Sequence, residues 1–219
     1  MVGCGSHGSS TGASASAAAS ASARPLTTST AAASASAAPS AAPSASADAA
    51  TASSDPLASP KMVDDAGNPL PQTEDKPSSS SPAFQKRAAL LFEAIQKDDA
   101  TIAAPAFFPK SAYATVKDIK NADKDWDARL FRLFKRDIHD YHKRLGKKPG
   151  DTQFVSVAAD DTHMKWMAKG SEGNRVGYYR LFGTTLRYKN AKGKDAKLEV
   201  TSLISWRGEW FVVHLHGTK

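Results

Sequence analysis

The chain has a single cysteine, Cys4, in 219 residues, so no intrachain disulfide can form. No apolar run approaches the ~18 residues of a spanning helix, so no segment reads as one. An arginine-rich run and an interleaved aromatic platform are both missing, which removes nucleic acid from the expected partners. Large apolar side chains are almost absent from the first third: 34 of the 50 residues from Thr11 to Pro60 are Ala or Ser. Such a stretch cannot bury enough surface to offset the entropy of ordering its backbone. Its serines and prolines interrupt helix, and no face is apolar enough to dock, so residues 1–81 read as a disordered Ala/Ser/Pro-rich tether.

What remains, 82–219, suits one domain with a single core. The whole chain holds 29 basic and 22 acidic residues; three basic and six acidic ones precede Pro82, leaving 26 against 16, or +10, for the domain. A basic surface attracts anionic lipid or polymer. These lysines, however, are spread over loops and helix faces, where the ordinary role of charge is solubility.

In the first half of the domain the apolar spacing is helical. Ser81-Pro82 reads as an N-cap with proline at the first helical position, followed by the stripe Phe84, Ala88, Leu91, Phe92 and Ile95, ending near Asp98-Asp99. Phe107-Phe108-Pro109 is an apolar plug, and a short helix from Ser111 turns Tyr113, Val116 and Ile119 inward. A long helix from Asp123 to Leu145 carries Trp126, Leu130, Phe131, Leu133, Phe134, Ile138, Tyr141 and Leu145, with Gly146 as C-cap. His139 and His142 on it share a face and can reach one ion, but no third ligand is marked. They read as a solvated rim, and no metal or cofactor is assigned.

From Asp151 the period becomes two. Strands are expected at 154–159, 163–168, 175–189, 196–206 and 209–216, joined by tight turns into an antiparallel sheet. Gly183, inside the longest strand, predicts a bend. The fold class is therefore α+β, with N-terminal helices packed on a curved antiparallel sheet. One sheet face offers Trp166, Tyr178, Arg180, Thr184, Ser202 and His214 among apolar neighbours, and these six are the candidate ligand-binding residues. No catalytic set is assigned. An enzyme on this fold would use His214 with Tyr178 or Arg180; this face holds no carboxylate, so a general base is His214 or comes from a helix.

The order helix, short helix, long helix and curved sheet, closed by the hairpin Trp206-Arg207-Gly208-Glu209-Trp210-Phe211-Val212-Val213-His214, resembles the nuclear transport factor 2-like superfamily of cone-shaped domains. That superfamily includes ketosteroid isomerases and many pocket domains. The resemblance implies a cavity between sheet and helices, and a homodimer through the open sheet face as one arrangement. It leaves function open, since the fold hosts enzymes and binders alike.

At the other end, Met1-Val2-Gly3-Cys4-Gly5-Ser6 resembles the close of a bacterial lipoprotein signal, with Met1 where a leucine is usual. The resemblance implies that Cys4 is the lipidated residue, that the true start lies upstream, and that the chain is anchored to a membrane of the bacterial cell envelope. The alternative is a cytoplasmic protein. Taken together, the expectation is a lipid-anchored, non-enzymatic ligand-binding or accessory domain for a small apolar ligand. An isomerase-, lyase- or hydrolase-type enzyme on the same fold and a basic binder of anionic lipid or polymer are the alternatives.

Overall fold

The computed structural model describes residues 62–68 and 70–216. Cys4 and the tether through residue 61 lie outside the described residues, and no helix among the described residues is long and apolar enough to cross a membrane. The fold is α+β, with helices packed on a strongly curled antiparallel sheet, a half-barrel.

Helix α1 spans Pro82–Lys97. Ser81 Oγ accepts the Phe84 amide at 3.2 Å, which satisfies an otherwise free N-terminal donor. At the other end Asp98 adopts a left-handed conformation (φ 55°) and closes the last turn onto Ala94 and Ile95. Phe84, Ala88, Leu91, Phe92 and Ile95 are all buried, as the spacing requires. A 3₁₀ turn at Ala104–Ala106 leads to Phe107-Phe108, which pair with the last strand, Glu209–His214, through the Phe108 amide and the Val212 carbonyl (3.0 Å).

Helix α2, Lys110–Val116, stops before Ile119 can turn inward. The backbone of Val116 and Asp118 instead pairs with Arg175 and Gly173 of the 173–175 turn, and Ile119 is left 36 % exposed, a correction to the expected inward stripe. The expected single long helix is three joined pieces: α3 at Ala122–Asp125, a π-helical segment at Trp126–Phe131, and α4 at Arg132–Leu145. The wider turn lets Trp126 and Phe131 stack at 4.8 Å over Phe107, itself stacked on Phe134 at 4.2 Å. Tyr141 ties α4 to the sheet by donating to the carbonyls of Glu199 and Leu215.

The strands are β1 (Gln153–Ala158), β2 (Lys165–Met167), β3 (Tyr178–Lys189), β4 (Asp195–Trp206) and β5 (Glu209–His214). Their order is β1-β3-β4-β5, all antiparallel. Strands β1 and β2 share one edge of β3. The first pairs Thr185–Lys189, the second Tyr178–Arg180, and between them that edge has no strand partner. Gly183 lies in this gap with φ +79°, a conformation costly to any residue with a Cβ. Here β3 bends. The β4–β5 turn has positive φ at both Arg207 (50°) and Gly208 (76°), matching the twist of the strands it joins.

Ordered contacts also reach upstream of α1. Gln72 accepts the Arg207 amide at 2.7 Å and donates to the Ser205 carbonyl at 3.0 Å; Ser79 donates to Asp161. Residues 72–79 thus link the β4–β5 hairpin to the turn between β1 and β2.

Candidate functional site

A cavity of about 140 Å³ lies between the α2 end of the helical layer and the near halves of β3, β4 and β5. Its apolar walls are Phe108, Val116, Leu130, Leu203, Ile204 and Val213. Its polar groups come from six separate places in the chain: Tyr113 and Lys117 at α2, Arg129 on the π-helical turn, Glu172 on the turn before β3, Tyr178 and Arg180 on β3, Ser202 on β4 and His214 on β5.

Local hydrogen bonds explain why these groups converge. Asn174 is 2 % exposed; its amide donates to the carbonyls of Ala168 and Val176 while its oxygen accepts the Glu172 amide. That brace shapes the Gly-containing turn and aims Glu172 at the strand that follows. The same turn holds the end of α2, because Asp118 donates its amide to Gly173 and Arg175 donates its amide to Val116. Lys117 Nζ in turn donates to the Glu172 carbonyl at 2.9 Å.

Two sets of the same composition result, each with a carboxylate held between a tyrosine and an arginine. In the first, Arg129 grips Asp125 through Nε (2.8 Å) and Nη2 (2.5 Å), and Tyr113 donates its hydroxyl to Asp125 at 2.5 Å. In the second, Tyr178 donates to Glu172 at 2.6 Å, and Arg180 pairs with the other Glu172 oxygen. Charge-assisted bonds of this kind are the stronger ones. The Arg129 guanidinium holds the Asp125 carboxyl below its ordinary range. Burial pushes Glu172 upward, but the Tyr178 hydroxyl and the charges of Arg180 and Lys117 outweigh it and hold that carboxyl low. Burial, reinforced by the adjacent carboxylate, lifts Tyr113 to about 12 and raises Tyr178 as well.

His214 differs from both sets. Burial first, then the charges of Arg180 and Arg129, depress its pKa below the ordinary 6.5, so the ring is neutral at pH 7. Its ring lines the cavity, and no hydrogen bond holds it among the described residues. Lys117, also depressed by burial, makes no ion pair among the described residues.

Of the six residues expected from sequence, Tyr178, Arg180, Ser202 and His214 line this cavity. Thr184 does not: past the Gly183 bend it is 1 % exposed and faces the core near Leu91 and Val200. Trp166 sits on the short strand β2, 37 % exposed, packed over Gly177 and edge-on to Tyr179. Tyr113, Lys117, Arg129 and Glu172 complete the cavity without having been singled out for it. His139 pairs with Asp98 and His142 with the Ile95 carbonyl, so each has its own partner. Another trio, Asp137, Asp140 and His216, brings ligand atoms within 4.8 Å of one another, with Arg136 already on Asp137.

No protein-family model, curated protein or solved structure matches this chain.

Proposed function

We propose that the folded region is a non-enzymatic ligand-binding or accessory domain that takes a small molecule into this cavity. We read its fold as nuclear transport factor 2-like and its place as the bacterial cell envelope, through lipidated Cys4. The observation that carries the binding reading is the pairing of an apolar cavity of about 140 Å³ with converging polar groups that are already locked to one another. A preordered site loses little freedom when it binds. An apolar cavity of ~150 Å³ is known to accept a molecule the size of benzene, which sets the scale of the ligand.

The same groups argue against acid–base catalysis. Proton transfer at neutral pH works best with a group whose pKa lies near 7. Both carboxyls are held below their ordinary range, and both tyrosines are raised. One observation favours a second reading, that of an enzyme: His214 is neutral, half-buried and unbonded in the cavity wall, as a general base would be. A ligand-observed NMR screen of ring- and short-alkyl-sized compounds on the full chain tests the main reading. Hits should be lost in S202L, which puts bulk where a 2 %-exposed serine lines the cavity, and in V213F as a second fill. Hits that survive both fills, or a screen with no hits, would reject it. Turnover of a hit that disappears in H214Q would favour the enzyme.

A further inference from the structure

The charge in the cavity identifies the class of ligand. Three cations, Lys117, Arg129 and Arg180, line the cavity with one carboxylate, Glu172, and a second carboxylate, Asp125, pairs with Arg129 from outside the lining. Each arginine has its own carboxylate, and each carboxylate also accepts a tyrosine hydroxyl. Lys117 is left over. Its ammonium touches the Glu172 carbonyl, which supplies a dipole but no charge, and it makes no ion pair among the described residues. With His214 neutral, the cavity therefore holds a surplus of one positive charge beside apolar walls. Lys117 feels the Glu172 charge but shares that carboxylate with Arg180, so the partly desolvated group carries one more positive than negative charge, and an incoming anion relieves that cost. A single surplus charge matches a monoanion better than a dianionic phosphate. The arginines still have donors to offer, since the bonds described use Nε and Nη2 of Arg129 and Nη1 of Arg180.

Building on the binding reading above, we infer that the cavity takes a small organic monoanion, a carboxylate carried on a ring- or short-alkyl-sized apolar body. The carboxylate sits against Lys117 within reach of the free arginine donors, and the apolar body lies between Leu130 and Ile204. The class is set by the surplus charge and the wall chemistry together. A neutral compound of the same shape would fill the space and leave Lys117 uncompensated, and a cation would add to the repulsion.

The test uses the full chain with benzoate and hexanoate as anions, and benzamide and hexanamide as neutral partners of matched shape. Affinity is measured by calorimetry and location by the His214 ring resonances. An anion should bind about tenfold or more tightly than its amide, as expected for a charge-assisted contact. It should move the His214 resonances, weaken by a similar factor in K117M and be retained in K117R. Amides that bind as tightly as the anions while moving the His214 ring would overturn the monoanion inference and leave the ligand-binding reading standing. If no probe moves that ring, the inference is overturned, and a blank outcome in the wider screen then rejects the binding reading as well. Should K117M fail to fold, the anion–amide comparison on the unaltered chain decides alone.

Discussion

The helix–sheet interface has two ends built on different terms. At the α1 end, Phe84, Ala88 and Leu91 close against Leu186, Val200 and Val212, and the space left among them is about 10 Å³, at the limit for one water molecule. At the α2 end the same two layers leave about 140 Å³, bordered by cations, the Glu172 carboxylate, tyrosines and a histidine. The strand β4 records the change along its length: burial alternates from Asp195 to Val200, then becomes continuous from Ser202 to Trp206. One end uses apolar contact to hold the fold, while the other gives up contact for space and holds its shape with hydrogen-bonded ion pairs. A domain that needed stability alone would have little reason to keep the second arrangement.

The strongest way to break this comparison is to truncate side chains at both ends. Leu91→Ala at the closed end should cost about 2–5 kcal/mol, because its neighbours cannot collapse around the vacancy. Val213→Ala, which only widens existing space, should cost under about 1.5 kcal/mol. Urea denaturation of both variants measures this, and equal losses would erase the distinction. A smaller effect is expected away from both ends. At Gly177 an added Cβ would lie 2.2 Å from the Trp166 ring, so Gly177→Ala should displace the indole and cost about 1–3 kcal/mol. A red shift of tryptophan emission would accompany the loss.

Much of the closed end was legible in the sequence and much of the open end was not, for a physical reason. Apolar periodicity reports burial against another element, so the stripe of α1, its Ser81 cap and the five strands could be read to within a few residues. The π-helical turn at Trp126–Phe131 was hidden because Leu130-Phe131 and Leu133-Phe134 supply apolar side chains in either register. Strict alternation put Thr184 on the face of Tyr178 and Arg180; it keeps that face but lies past Gly183, where α1 closes over the sheet and leaves almost no cavity. Lys117, Arg129 and Glu172 are charged residues at a helix end, on a helical turn and in a loop. No periodicity marks such positions, and they meet because Asn174 and the 173–175 backbone sew the turn to α2.

Two further outcomes sharpen the account of the open end. Tyr178→Phe removes one donor from Glu172 while Arg180 stays, so the cost should be about 1 kcal/mol by urea denaturation. Because the Glu172 pKa is depressed in the folded chain, its stabilisation is present above 4.5 and lost as the pH falls; the variant should lose less on acidification. The smallest effect concerns His214, whose folded pKa also lies below its ordinary value. The unfolded chain therefore binds the proton more readily, and stability should decline as pH falls through 6.5. Thermal melts from pH 7.5 to 5 should show a shallower decline in H214Q than in the unaltered chain.

The most direct measurement is a crystal structure of the full chain soaked with benzoate. The account predicts ring density between Leu130 and Ile204, with the carboxylate on Lys117 and the Tyr–carboxylate–Arg sets undisturbed. A cavity closed by side chains, or benzoate bound elsewhere while the cavity holds ordered water alone, would contradict it.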